Sequence, residues 1–421
     1  MKLTCENTNY CATVIRIHNL IDLQGLDNLK GIPSFGYTAL VSKDHLIGEL
    51  GVLFVAETKL SDDFCTMNNL YRDSKLNSDK DKAGYIEDSG RVKSLKLRGN
   101  TSTALFMPLS CFAYLGVNPE DFKEGDTFTH IDGREICRKY VIKVNQSRTN
   151  KVKGQTVKRK LVDENIFKRH IETEHFLRNL KQFKDDDTII VTEKIHSTSG
   201  RFANLRIERK LSRLETVLKW LGVKIDNTEY RYICGSRQVV KEDGSEQSFY
   251  QTNVWHNEME KIKLCIPKDT VIYGEIVGWD GEKPLQKNYT YRLPIGSTVL
   301  YVYRIASVNP DGFMVDWSWS QIKTFCNNTG IKYCPEIFVG KFKDFDYTVF
   351  ENKKFREDLG LTQCLPLDDD APCSEGLVIR LEGNNIPYLT KYKSPDFYLH
   401  EGVIISSGIV DTESQESYVE V

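Results

Sequence analysis

The chain has 421 residues, 40% of them hydrophobic and 28% charged, with a formal net charge of −2. That length exceeds one ordinary core, so two domains are expected. The near-neutral balance excludes nucleic-acid binding driven by global charge and leaves that role to local clusters. The 11 cysteines occur singly and form no CxxC pair. This argues against a structural zinc site and a disulfide framework, and implies free thiols in a reducing cytoplasm. Met1 to Tyr10 is polar and lacks the apolar core of a signal peptide. No apolar run approaches the roughly 18 residues of a membrane span, so no membrane partner is expected.

Residues 1–143 read as short strands with frequent glycine punctuation. The candidates are 12–18, 38–41, 46–56, 92–97, 104–108 and 127–131. Many short strands suit a small all-β barrel. Within it, Arg91, Lys93, Lys96 and Arg98 alternate with small or apolar residues. On a strand, Arg91 and Lys93 would share one face, and Lys96 and Arg98 the other. They form either a solvated outer face or a phosphate-facing stripe.

Composition shifts over 144–165. Arg148, Lys151 and Lys153 begin a basic run that continues to Lys160 without an acidic residue. Such a tether either contacts phosphates or is merely a soluble linker. Apolar spacing then predicts a helix over 164–183. The second domain, 166–405, is expected to hold strands at 188–194, 201–207, 229–236, 270–277, 298–306 and 376–381, with another ending at Lys391. Helices are expected over 211–221 and 250–264. This pattern is α+β, without the regular alternation of a doubly wound sheet. Residues 406–421 form an acidic tail.

Charged groups recur at the strand ends of the second domain. Lys194 stands between Glu193 and His196. Arg237, Glu275, the pair Tyr301 and Tyr303, Glu375, Lys391 and Lys393 follow in order. Lys391 and Lys393, two apart, share a strand face. Glu275 and Glu375 adjoin strands rich in Ile and Val, where a buried carboxylate needs a partner.

Together these groups suit attack of a lysine amine on the α-phosphate of a nucleotide. The amine must be neutral to attack, although its reference pKa is about 10.4. Neighbouring cations and a bound metal would lower it. Lys391 and Lys393 can offset charge on the transferred phosphate. The two carboxylates can hold hydrated Mg²⁺ or Mn²⁺. A tyrosine ring offers the purine a stacking face.

The ordered blocks Lys194–Gly200, Ser236-Arg237, Tyr273–Gly278, Tyr301–Arg304, Ser374–Arg380 and Lys391–Lys393 resemble the motifs of the covalent nucleotidyltransferases. That superfamily comprises DNA ligases, RNA ligases and mRNA capping enzymes. The Lys-x-His form at Lys194–His196 resembles RNA ligases. The blocks Asn253–Trp255 and Gln286–Tyr291 are similar to the Deinococcus/Naegleria type. In that type an N-terminal OB-fold barrel precedes an ATP-grasp-like nucleotidyltransferase domain of antiparallel sheets and helices.

The resemblance implies a role for each matching residue. Lys194 accepts AMP from ATP, and Glu193 helps to read adenine. Arg237 binds the ribose and phosphate region. Glu275 contacts the ribose or metal-bound water, and Glu375 is the metal-associated carboxylate. Tyr303, or else Tyr301, stacks on adenine. Lys391 and Lys393 contact the α-phosphate. His196 acts in sealing or supports the site. Two positions depart from the pattern: Ser197 stands where Gly is usual, and Arg304 where Asp is frequent.

After Lys393 only Ser394 to Val421 remains, too little for the barrel that usually follows this motif in DNA ligases and capping enzymes. The reading is therefore an ATP-dependent RNA ligase acting on RNA with 5′-phosphate and 3′-hydroxyl ends, with a nicked duplex as substrate and a monomeric state. It would form a lysyl-AMP, pass AMP to the 5′-phosphate and seal the break in RNA repair. The alternatives are a GTP-dependent mRNA capping guanylyltransferase and a catalytically inactive nucleic-acid-binding relative.

Overall fold

The computed structural model describes residues 1–141, 162, 165–209, 211–241, 253–383 and 385–406. These gather into two compact units. The basic run with Arg148, Lys151 and Lys153, most of the 144–165 linker, and the tail beyond 406 lie outside the described residues. Among the described residues no helix is long and apolar enough to cross a membrane.

The first unit holds residues 1–141 with Glu174–Gln182 and 392–406. Its main sheet contains β1 (Ala12–Arg16), β2 (Ile21–Asp22), β3 (Leu29–Ser34), β4 (Tyr37–Ser42), β5 (Leu50–Val55), β6 (Ala104–Pro108) and β7 (Thr127–Phe128), in the order β7-β1-β5-β6-β4-β3-β2. The two-residue period of a strand sends alternate side chains to opposite faces. Along β5, Val52 and Phe54 enter one core with Phe64, Phe112 and Phe128. Leu53 and Val55 enter another with Ile15, Phe106 and Tyr398. Each fully buried Phe or Leu contributes about 1.5–3 kcal/mol.

That two-faced burial departs from the expected barrel. Among the described residues no pairing joins the edge strands β7 and β2, so the sheet is open. A small barrel fills its interior from one face, whereas this sheet has a core on each side.

The basic cluster is also rearranged. The strand expected over 92–97 is only Leu95–Leu97, paired with Asn100–Ser102. Arg98 and Gly99 make the turn between them, both at positive φ as a tight hairpin of this kind requires. Lys96 is exposed on the hairpin, and Arg98 donates to the Gly25 carbonyl at 3.0 Å. Lys93 pairs with Glu87 at 2.6 Å. Arg91 is 3% exposed and cannot face phosphate. It donates to both carboxylate oxygens of Glu57, at 2.9 and 2.6 Å, and to the Gly402 carbonyl at 3.2 Å. Strand period alone placed these residues on two faces of one strand. The Glu57 partner, 34 residues upstream, draws Arg91 inside.

The second unit holds two sheets. One, in the order β17-β16-β8-β15, contains β8 (Thr188–Lys194), β15 (Glu336–Lys341), β16 (Gly376–Leu381) and β17 (Tyr388–Lys393). The other, in the order β11-β10-β9-β12-β13-β14, contains β9 (Thr198–Glu208), β10 (Thr228–Gly235), β11 (Val240–Lys241), β12 (Thr270–Asp280), β13 (Thr298–Val308) and β14 (Met314–Asp316). The helix Arg213–Trp220 opens with a capping box between Ser212 and Glu215. The helix Trp319–Thr329 does the same with Ser318 and Gln321, and ends at Gly330 in the left-handed conformation. Such reciprocal caps satisfy backbone donors that a helix start leaves open.

The helix expected over 164–183 does not form among the described residues. Residues 165–173 have no regular structure, and Phe176–Arg178 and Leu180–Gln182 are single 3₁₀ turns. The apolar spacing is used twice instead. Ile166 and Phe167 enter the core of the second unit, while Phe176 and Leu177 are buried in the first.

Removing one member of a buried ion pair leaves the other charge uncompensated, at a cost of about 3–5 kcal/mol. Glu57→Ala should lower unfolding stability by that amount, measured in urea. A combined Glu57→Met and Arg91→Met variant should lose markedly less.

Candidate active site

One wall of the site follows from the register of two strands. Across β8 and β16 the partners are Ile190 and Arg380, Thr192 and Val378, and Lys194 and Gly376. On one face Ile189, Val191, Leu377 and Ile379 are fully buried. On the other, Thr192, Lys194, Val378 and Arg380, with Leu389 of β17, line a cavity. Lys194 Nζ lies 2.9 Å from Glu375 Oε1. The Glu375 side chain is 2% exposed and that of Lys194 23%. The amine is thus held by a buried carboxylate yet reachable from the cavity.

The facing wall comes from the second sheet. Ser199 of β9 and Glu275 of β12 are cross-strand partners, and the Ser199 hydroxyl donates to Glu275 Oε1 at 3.0 Å. The β12–β13 register breaks here: Tyr273 pairs with Arg304 and Gly274 with Val302, leaving Tyr303 as the extra residue of a bulge. Bulges re-aim side chains, and both Tyr303 and Arg304 line the cavity. Tyr301, two residues earlier, pairs with Glu275 in the regular ladder and does not line it.

Arg304 occupies the place where an Asp is frequent in the resemblance. It is 3% exposed and forks onto Asp316, with one bond of 2.9 Å. Its guanidinium also lies 4.4 Å from the Tyr273 ring centre. The charge is compensated within the sheet. Arg237 reaches the cavity from the loop after β10 and donates to Glu172 Oε1 at 2.8 Å.

Ser197, the other departure, is accommodated away from the cavity. Its hydroxyl donates to the Ile276 carbonyl of β12, and it is not among the lining residues. His196 is fixed by Tyr291, whose hydroxyl accepts from the His196 amide at 2.8 Å and donates to its carbonyl at 3.0 Å. The His196 ring meets Tyr289 edge to face at 5.0 Å and lies 4.0 Å from Glu375 Oε2.

Glu193 lines the cavity but is 2% exposed. Its Oε2 accepts from the Leu365 amide at 3.0 Å. Burial pushes its carboxyl up to about 8, against the Leu365 amide and the Cys364 thiol, which favour the ionised form. Glu193 therefore sits as a neutral acid at pH 7.

The cavity thus gathers Glu193, Lys194, Arg237, Glu275 and Tyr303, with Glu375 joined through Lys194. Lys391 shares the strand face of Leu389, which does line the cavity. Lys393 belongs to the first unit, where its Nζ lies 3.2 Å from Glu401. His170, Thr173, Trp319 and Cys334 also line the cavity and carried no sequence signal. Each comes from a loop or a helix start, outside the strand-end pattern.

The RNA ligase family model matches residues 187–393, the segment that supplies nearly all of this wall and its partner. Residues 187–393 are thus similar to the RNA ligase family. Three solved forms of the Naegleria gruberi RNA ligase share its fold. A substituted form without ligand has a TM-score of 0.59 at 16% identity, covering 94% of this chain and 98% of that one. A substituted form with AMP and Mn gives 0.56 at 15% identity, covering 93% and 98%. The form with PPi gives 0.56 at 16% identity, covering 93% and 98%. No curated protein sequence matches the chain.

The raised Glu193 group sets a sign for the pH dependence of the second unit's stability. Between its ordinary value of 4.5 and about 8, the unfolded chain has released this proton and the folded chain retains it. Stability from this group is therefore full below pH 4.5 and falls as pH rises to about 8. Chemical denaturation across pH 4.5–8 should show wild type losing stability relative to Glu193→Gln, with the gap constant above pH 8.

Proposed function

We propose that the chain is an ATP-dependent RNA ligase that works through a lysyl-AMP at Lys194. The observation that carries this reading is the Lys194–Glu375 pair at 2.9 Å, opening on a cavity that also holds Glu275, Arg237 and Tyr303. A lysine beside a purely structural partner would not need an aromatic ring and a second carboxylate lining the same cavity.

In the first step the Lys194 amine attacks the α-phosphorus of ATP, and pyrophosphate leaves. Glu375 Oε1 holds the amine and is placed to take its proton as the N–P bond forms. Tyr303 stacks on the adenine, with Val378 opposite on β16, and neutral Glu193 borders the base. Arg237 and Lys391 are assigned to the phosphates. The AMP then passes to an RNA 5′-phosphate, and the RNA 3′-hydroxyl displaces it. His196 supports the site through the Tyr291 and Glu375 contacts.

Glu275 and Glu375 supply two carboxylates, and no cluster of three or more metal-ligating side chains occurs among the described residues. That donor set fits Mg²⁺ or Mn²⁺, which take one or two protein carboxylates and complete their shell with phosphate oxygens and water. Bound there, the ion would neutralise phosphate charge. The Naegleria gruberi enzyme has been solved with ATP and Mn.

We assign the first unit, with its open sheet, to RNA binding, with Lys96 and Arg98 on its exposed hairpin as phosphate contacts. Lys93 adds to that surface and Arg91 supports it from inside, and Arg148, Lys151 and Lys153 of the 144–165 run are assigned to RNA phosphate as well. The substrate is a nicked duplex, the chain acts as a monomer, and its free cysteines suit the cytoplasm.

Joining of a nicked RNA duplex with ATP and Mg²⁺ tests the proposal. Wild type should seal the nick, GTP should not replace ATP, and Lys194→Ala should abolish sealing from a 5′-phosphate. Sealing by Lys194→Ala at the wild-type rate would overturn it. Transfer of GMP to an RNA 5′ end would favour capping instead.

A further inference from the structure

The RNA ligase family match begins at residue 187. Yet the cavity is also lined by His170, Ile171 and Thr173, upstream of that start. This stretch has no regular secondary structure, but it is firmly seated in the second unit. Ile166 and Phe167 enter the core beneath β9 and β12. Arg201 of β9 donates to the Phe167 carbonyl at 2.8 Å and lies 4.4 Å from the Phe167 ring centre. The Tyr273 hydroxyl of β12 donates to the Lys168 carbonyl at 3.0 Å, and Arg169 donates to Gln238 at 2.8 Å.

These anchors bring His170 onto the stacking tyrosine. His170 Nδ1 is hydrogen-bonded to the Tyr303 hydroxyl. Its ring meets Tyr273 nearly edge-on, at 5.1 Å and 76°, and lies 5.9 Å from the Tyr303 ring at 46°. Tyr303 needs such a brace. It is the extra residue of a bulge, at the break in the β12–β13 register, and a stacking ring works best when its plane is fixed before the base arrives.

We propose that His170 is a positioning residue for nucleotide binding: through the Tyr303 hydroxyl it holds the stacking ring, so that the 166–173 strap is an integral part of the nucleotide site. The proposal rests on the reading of Tyr303 as the shelf for the base. A hydrogen bond to the phenol does not touch the reacting atoms, so it affects how well nucleotide binds more than how fast bound nucleotide reacts.

The test is a double-mutant cycle on Lys194 adenylylation in the full chain, with the ATP dependence measured for wild type, His170→Ala, Tyr303→Phe and the double variant. His170→Ala should raise KM for ATP about fivefold, as loss of one net hydrogen bond implies, with the rate at saturating ATP within about twofold. In the Tyr303→Phe background the same change should move KM by less than about twofold, because the hydroxyl through which His170 acts is gone. Equal KM effects in both backgrounds would overturn the proposal and mark His170 as merely structural. So would an effect confined to the saturated rate, or no effect at all.

Binding of a fluorescent ATP analogue to the same four proteins provides a second reading of the cycle. If wild type binds the analogue and shows the cycle but takes no AMP, the ligase reading fails and the brace stands. If wild type binds no nucleotide, both fail.

Discussion

The site depends on one contact, the ion pair between Lys194 and the buried Glu375. A lysine amine at a strand end is ordinarily a mobile, hydrated group. Here the β8–β16 register sets Lys194 opposite Gly376, and the residue before that glycine supplies a carboxylate at 2.9 Å. A buried carboxylate is costly without a partner, so the pair fixes the amine at one place on the cavity wall. The alternation of β8 then turns Thr192 and Lys194 inward to the cavity, while Ile189 and Val191 anchor the strand from behind.

The second sheet supplies what that amine needs to meet. Its register is regular through Glu275, which places the second carboxylate, and breaks by one residue at Tyr303, whose side chain lines the cavity. Regular pairing thus positions the charges, and a single irregularity positions the ring. The buried cations of this sheet are compensated locally. Arg304 is answered by Asp316, and Arg201 by backbone carbonyls at Phe167 and Ser236.

Much of this was legible in the sequence because the chemistry sits at strand ends, where a charged residue interrupts an apolar run. Lys194, Glu275 and Glu375 announce themselves that way. The choice between Tyr301 and Tyr303 was not legible, since a bulge is a property of the pairing of two strands and not of either alone. His170 gave no signal either: its stretch spaces apolar residues like a helix, but Ile166 and Phe167 are claimed by one core and Phe176 and Leu177 by another. Arg91 looked like a surface cation because its partner, Glu57, is distant in sequence. Burial on both faces of the 50–55 strand could be read as a run of apolar residues, but the run did not say whether the sheet closes.

The central claim is that Lys194 is the residue that becomes covalently bonded to AMP. Peptide mapping by mass spectrometry, after incubation with ATP and Mg²⁺ and before any RNA is added, tests it directly. The account predicts an AMP adduct on Lys194 and on no other lysine. An adduct on a different lysine, or complete turnover of ATP with Lys194 unmodified, would contradict it.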